Sequence, residues 1–165
     1  MGLVVVLDTS FLIAALTEET NQNRKKAERI YDSLKVLKEE GRIERLYLLW
    51  PVCYEFLNTR SVKNKTVFFR WNMFLQEFRR EIFSGLNLDF EDDVRFRNKA
   101  YEKLMEEKEP PSLVDRVIGE FLIEKSREEP QKKFLLITFD SDFFRYWLSH
   151  NILIVQTPEM LTQQC

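Results

Sequence analysis

Short apolar runs recur along the chain, each closed by polar or turn-forming residues and followed by a helical pattern. Leu3 to Leu7 (LVVVL) reads as a buried strand and Thr9 to Leu16 (TSFLIAAL) as a short helix directly after it. From about Asn21 to Glu39 the pattern is mostly polar, with Ala27, Ile30, Tyr31, Leu34 and Leu37 near one face, and Gly41 ends that helix. A second strand is expected at Leu46 to Trp50, followed by a helix opening at Pro51, where proline suits a first helical turn, and running to about Thr59.

The middle of the chain is helical and aromatic. Across residues 62 to 82, Val67, Trp71, Phe74 and Phe78 share one helix face. A weak strand near 86 to 88 and a charged helix from about 91 to 107 come next, so an extended helical segment covers about 62 to 110. Pro110 and Pro111 then break the chain before SLVDRVIGEFLIEK, where Ser112 is a natural N-cap and Asp115 falls in the first turn. Strand Phe134 to Thr138 leads into a helix at about 141 to 148, and strand Ile152 to Val155 into a terminal helix from Pro158. Alternation of this kind predicts an α/β fold, with a parallel sheet covered by helices on both faces.

Composition narrows the class without changing that picture. With 165 residues, no linker and no internal repeat, one domain spanning 1 to 165 is expected, and four Gly and five Pro argue against disorder or a loop-rich scaffold. The N-terminal apolar run is too short to span a membrane and is interrupted by Asp8, which favours a cytoplasmic setting without membrane association. Cys53 and Cys165 form neither a disulfide framework nor a metal-ligand spacing, and read as plain thiols. A net charge of −2 excludes a globally basic nucleic-acid binder, although local clusters such as Arg24-Lys25-Lys26, Lys132-Lys133 and Arg79-Arg80 can still meet phosphates. The lone histidine, His150, lies near no motif that would make it part of a catalytic triad.

The acids carry the chemistry. Asp8 follows the first strand, Asp140 and Asp142 follow the strand at 134 to 138, and Glu55 and Asp115 lie early in helices that can begin at the same sheet edge. Parallel strands present their C-terminal ends on one side, so acids far apart in sequence can meet there. Each has a plain structural reading: Asp8 as an N-cap, Asp115 as a complement to a helix N-terminus, Asp140 and Asp142 as turn and cap residues. Glu55, set among Tyr54, Phe56 and Leu57, argues the other way, because Glu is almost never fully buried unless paired. Clustered carboxylates repel, and a hard divalent cation with oxygen ligands relieves them. Mg²⁺ or Mn²⁺ fits best, and phosphodiester hydrolysis is the chemistry such a site implies.

Taken together, VVVLDTSFLIAAL, PVCYEFLN, SLVDRVIG, LLITFDSDF and ILIVQTPEML, in this order, resemble the PIN-domain family of nucleases, most closely its VapC-type toxin branch. The resemblance implies a three-layer α/β/α sandwich with a mainly parallel sheet and a metal-dependent endoribonuclease activity. It places Asp8, Glu55, Asp115 and one of Asp140 or Asp142 as acidic ligands of Mg²⁺ or Mn²⁺, supported by Thr9 or Ser10 and by Thr138. It also implies an RNA substrate, a small antitoxin protein as a partner, and products with a 5′-phosphate and a free 3′-hydroxyl.

The chain departs from the compact toxin pattern in its long aromatic middle segment. Phe68, Phe69 and Met73 lie off the apolar face of that helix and point to a homodimer contact or a groove for an antitoxin-type helix. A catalytically silent PIN-fold subunit acting as RNA binder or scaffold is the alternative, although no acidic position of the pattern is missing. A haloacid-dehalogenase-like phosphatase fails locally, since it needs a second Asp two residues after the first and position 10 is Ser.

Overall fold

The computed structural model describes residues 2–17, 22–59, 64–83, 98–103, 105–106, 112–140 and 150–163. Four parallel strands form the sheet: β1 (Leu3–Leu7), β2 (Ile43–Tyr47), β3 (Lys133–Ile137) and β4 (Ile152–Val155), in the spatial order β2-β1-β3-β4. Helices flank it in the three-layer α/β/α arrangement: α1 (Thr9–Leu16), α2 (Arg24–Glu39), α3 (Trp50–Leu57), α4 (Lys65–Glu77), α5 (Arg79–Phe83), α6 (Leu113–Glu128) and α7 (Pro158–Thr162). Residues 98–103 and 105–106 are also helical.

Burial follows position in the sheet. All five residues of central β1 are buried, as are Phe134 to Ile137 of β3, which is why both strands are unbroken apolar runs. At the edge, β2 is only partly buried. Ile43, Leu46 and Tyr47 face the core, while Glu44 and Arg45 pair with Lys132 and Glu129, tying this strand to the turn between α6 and β3. The strand therefore lies three residues before the expected 46 to 50. Pairing with β1 through Arg45, Leu46 and Tyr47 decides its limits, and Leu48 and Leu49 are buried in the connection to α3.

Helix ends follow local chemistry. α2 stops in a Schellman motif, with the Gly41 amide donating to the Lys38 carbonyl and the Arg42 amide to that of Leu37; Gly41 takes φ of 69°. The helix expected from 62 to 82 is two helices, because the chain leaves helical geometry at Phe78 (φ −106°, ψ 20°). Val67, Trp71, Phe74 and Phe78 are all buried; Trp71 is in ring contact with Phe56 of α3, and Phe74 and Phe78 with Tyr31 of α2. The strand near 86 to 88, much of the helix at 91 to 107 and the helix at 141 to 148 lie outside the described residues. Among the described residues, no helix is long and apolar enough to cross a membrane.

Strand order positions the site. From β1 the chain moves to one side to form β2, and the later strands β3 and β4 lie on the other. A crevice therefore opens between the C-terminal ends of β1 and β3, the switch point at which parallel sheets bind ligands.

Candidate metal centre

Asp8 follows β1 directly and is 3% exposed. Its backbone amide donates to the Ile137 carbonyl, which ties it to the end of β3. It occupies the N-cap position of α1, yet its side chain makes no capping hydrogen bond. Instead, Asp8 Oδ2 accepts from Ser10 Oγ at 2.7 Å and from Thr138 Oγ1 at 2.7 Å, so hydroxyls from both sides of the crevice hold it. The N-cap reading thus fails for the carboxylate.

The two hydroxyls are themselves oriented. Ser10 Oγ accepts from the Phe139 amide at 3.0 Å and Thr138 Oγ1 from the Asp140 amide at 3.0 Å, which commits each hydroxyl proton to Asp8. Ser10 and Thr138 lie 3.3 Å apart and have no further proton to share. Of the expected supporting residues, Ser10 and Thr138 touch Asp8. Thr9 does so only through its backbone amide, since its buried Oγ1 has no hydrogen-bond partner among the described residues.

This arrangement makes Thr138, which is fully buried, a point of failure. Thr138→Val removes a donor from Asp8 and an acceptor from the Asp140 amide, and is expected to cost about 1–3 kcal/mol in urea unfolding. Thr138→Ser should recover most of it. A Val variant as stable as the parent would show that the hydroxyl is dispensable.

Asp115 sits three residues into the turn capped by Ser112, whose Oγ accepts from the Asp115 amide at 3.1 Å. A helix N-terminus favours a carboxylate there. Even so, burial, followed by the charges of Asp8 and Asp140, pushes its carboxyl up from 3.8 to about 7; the Ser112 hydrogen bond works against this and Glu55 adds to it. Repulsion and desolvation outweigh capping. Burial also raises the Asp8 carboxyl, against hydrogen bonds from Thr138, Ser10 and the Thr9 amide and together with the Glu55 charge.

The structure thus brings Asp8, Glu55, Asp115 and Asp140 into one electrostatic field at the switch point, from four separate segments. Glu55 differs from the sequence expectation in one respect. It is exposed, because α3 buries Pro51, Val52 and Phe56 and turns Tyr54, Glu55 and Leu57 outward. The burial argument for Glu55 therefore does not hold, and its case rests on proximity to Asp8 and Asp115. Asp142 lies outside the described residues.

All the donors are hard oxygens, which fits Mg²⁺ or Mn²⁺ in kind, and the raised carboxyls are what a divalent ion would relieve. Among the described residues no three of His, Cys, Asp and Glu are drawn into a ready-made ligand group. Cys53 offers no alternative centre, since burial pushes its thiol up to about 11. One signal was hidden behind the acids. Trp50 and Tyr54, spaced i, i+4, stack on each other in α3 next to Glu55. No protein-family model, curated protein or solved structure matches this chain.

Proposed function

We propose that this protein is a Mg²⁺- or Mn²⁺-dependent endoribonuclease of the PIN type, acting as the toxin of a toxin–antitoxin pair. The observation that carries this reading is the Asp115 carboxyl, held near neutrality by burial and by Asp8 and Asp140, at the switch point of a parallel sheet. A structural cap has no need of three further acids in its field.

Each residue has a part. Asp8 is a fixed ligand, pinned by Ser10 and Thr138 so that it does not turn away. Asp115 holds a proton near pH 7 in the free protein and gives it up when a cation binds. Glu55 and Asp140 complete the oxygen set from α3 and from the end of β3, with Asp142 as the other acid of that pair. When bound, the ion supplies charge neutralisation at the phosphodiester and a water acidic enough to act as nucleophile near pH 7.

The test is cleavage of structured and single-stranded RNAs with Mn²⁺, Mg²⁺ or EDTA, beside Asp8→Asn. Metal-dependent cutting that Asp8→Asn loses, leaving 5′-phosphate and 3′-hydroxyl ends, is the expected result. A 2′,3′-cyclic phosphate would contradict it, because that product comes from attack by the RNA's own 2′-hydroxyl. A parent protein that binds RNA and cuts nothing under any condition would favour the catalytically silent subunit instead.

A protein partner is part of the same proposal. On α4, Phe69 is 64% exposed and Met73 52%, beside a cleft of about 220 Å³ whose lining is mixed: Ala15, Leu16, Tyr31 and Met73 with the charged Glu28, Asp32 and Arg70. Exposed apolar area of this kind supports a docking face, for a second copy of the chain or for an antitoxin-type helix. Phe69→Glu is expected to convert a dimer to a monomer in sedimentation equilibrium, and a parent that is monomeric at high concentration would remove the homodimer.

A further inference from the structure

α3, the helix that also bears Glu55, carries two exposed aromatic rings. Trp50, its first residue, and Tyr54, one turn later, lie nearly face to face, with centroids 5.0 Å apart and planes at 15°. Both are exposed, Tyr54 by 58%, and so is Leu57 a further turn along. The buried stripe of this helix is Pro51, Val52 and Phe56, and Tyr54 lies off it. An i, i+4 pair steadies a helix only slightly.

Their place is set by the fold. α3 begins after the C-terminal end of β2, on the same side of the parallel sheet as the ends of β1 and β3 that lead into Asp8 and Thr138. Tyr54 adjoins Glu55. α3 packs against α1, which starts behind Asp8, and against α6, whose first turn holds Asp115 and the exposed Leu113.

Charge decides what such rings can contact. A crevice ruled by carboxylates in a chain of net charge −2 repels phosphate, so affinity for a nucleic acid here cannot come from the backbone alone. Stacking is indifferent to that repulsion, and every base has a π face. A duplex keeps its bases stacked on one another and has none to offer, whereas an unpaired strand or loop does.

We propose that Trp50 and Tyr54 are positioning residues, a platform on which an unpaired base of single-stranded RNA stacks so that the strand lies across the carboxylates. The choice of RNA as the ligand rests on the ribonuclease reading; binding in EDTA is measured apart from cleavage, so the two can fail separately.

The test is anisotropy of a short, unstructured labelled RNA with the full chain in EDTA, which separates binding from cleavage. Tyr54→Leu, which keeps apolar bulk and helix propensity, is expected to weaken binding about tenfold, and Tyr54→Phe to preserve it. An abasic strand of the same length should bind parent and Tyr54→Leu equally weakly. The parent should prefer the single strand to its duplex, and Tyr54→Leu should lose that preference while melting at the parent's temperature.

Equal binding of the strand by parent and Tyr54→Leu, or a parent that binds no RNA, overturns the platform. Cleavage by a parent whose Tyr54→Leu variant binds and cuts alike overturns the platform and leaves the nuclease standing. Tyr54-dependent binding by a parent that never cuts with Mn²⁺ supports the platform and removes the nuclease.

Discussion

Replacing Asp115 by Asn is expected to abolish cleavage and, at the same time, to stabilise the metal-free protein. The Asp115 carboxyl is raised from 3.8 to about 7, so between those values the folded state binds more protons than the unfolded state. Stability from this group is therefore fully present below pH 3.8, falls as the pH rises, and is lost above about 7. The carboxylate is a burden at neutral pH. At ~1.4 kcal/mol per pH unit the displacement would amount to ~4 kcal/mol for a dry group. Solvent reaches this half-buried side chain, and screening leaves about 1–2 kcal/mol.

Asn keeps the shape and removes the charge. In EDTA at pH 8, Asp115→Asn should melt about 3–6 °C higher than the parent. The gain should shrink towards pH 4, where the parent's carboxyl is protonated as well. Activity should fall by more than about 100-fold, beyond what the loss of a residue behind a metal ligand costs. A variant that is less stable at pH 8, or whose gain is the same at both pH values, would show that Asp115 is an ordinary first-turn acid. Paired with lost activity, the expected gain would mark the group as kept for function at a cost in stability.

Divalent metal should bring the second large effect. An ion that binds the folded chain alone stabilises it by about 2.7 kcal/mol at a hundred times its dissociation constant. Mn²⁺ should therefore raise the melting temperature of the parent clearly at pH 8. Its ligands must be deprotonated, so affinity should fall about tenfold for each pH unit below 7, as the proton on Asp115 competes. Calorimetry in two buffers of different ionisation enthalpy would count the proton released. The same Mn²⁺ shift in an Asp8→Asn, Asp115→Asn double variant would place the ion elsewhere on the protein.

The candidate site is thus a set of carboxyls under mutual repulsion, held in place by the fold. Ser10 and Thr138 fix Asp8 from α1 and β3, so the crevice does not relax by rotating that carboxylate away. Asp115 is kept in place from the other side by its helix, whose first turn is capped by Ser112. What a cation would gain on entering is relief of charges already positioned.

Much of this was legible in the chain. LVVVL and FLLI read as buried strands, because a strand covered on both faces is an unbroken apolar run without polar alternation. The α2 stop at Gly41, the Ser112 cap and the aromatic stripe of α4 follow from neighbours within a turn or two, so local chemistry settled them. The acids after strands were visible for the same reason, and the order of the elements announced the parallel sheet that gathers them.

Tertiary structure decided the rest, and the reason is distance along the chain. β2 begins at Ile43 because pairing with β1 outweighs the apolar run that ends at Trp50. The aromatic segment breaks at Phe78 although its apolar face continues through that residue. Asp8 is held by Ser10 and Thr138 rather than capping α1, and Thr138 lies 130 residues away, so no local pattern could separate the two roles. Glu55 turned outward because only the packing of α3 says which stripe meets the core. A sequence by itself declares which residues can be buried and which can cap a helix; which carboxylates face each other depends on where the strands stop, and that is fixed only when the sheet closes.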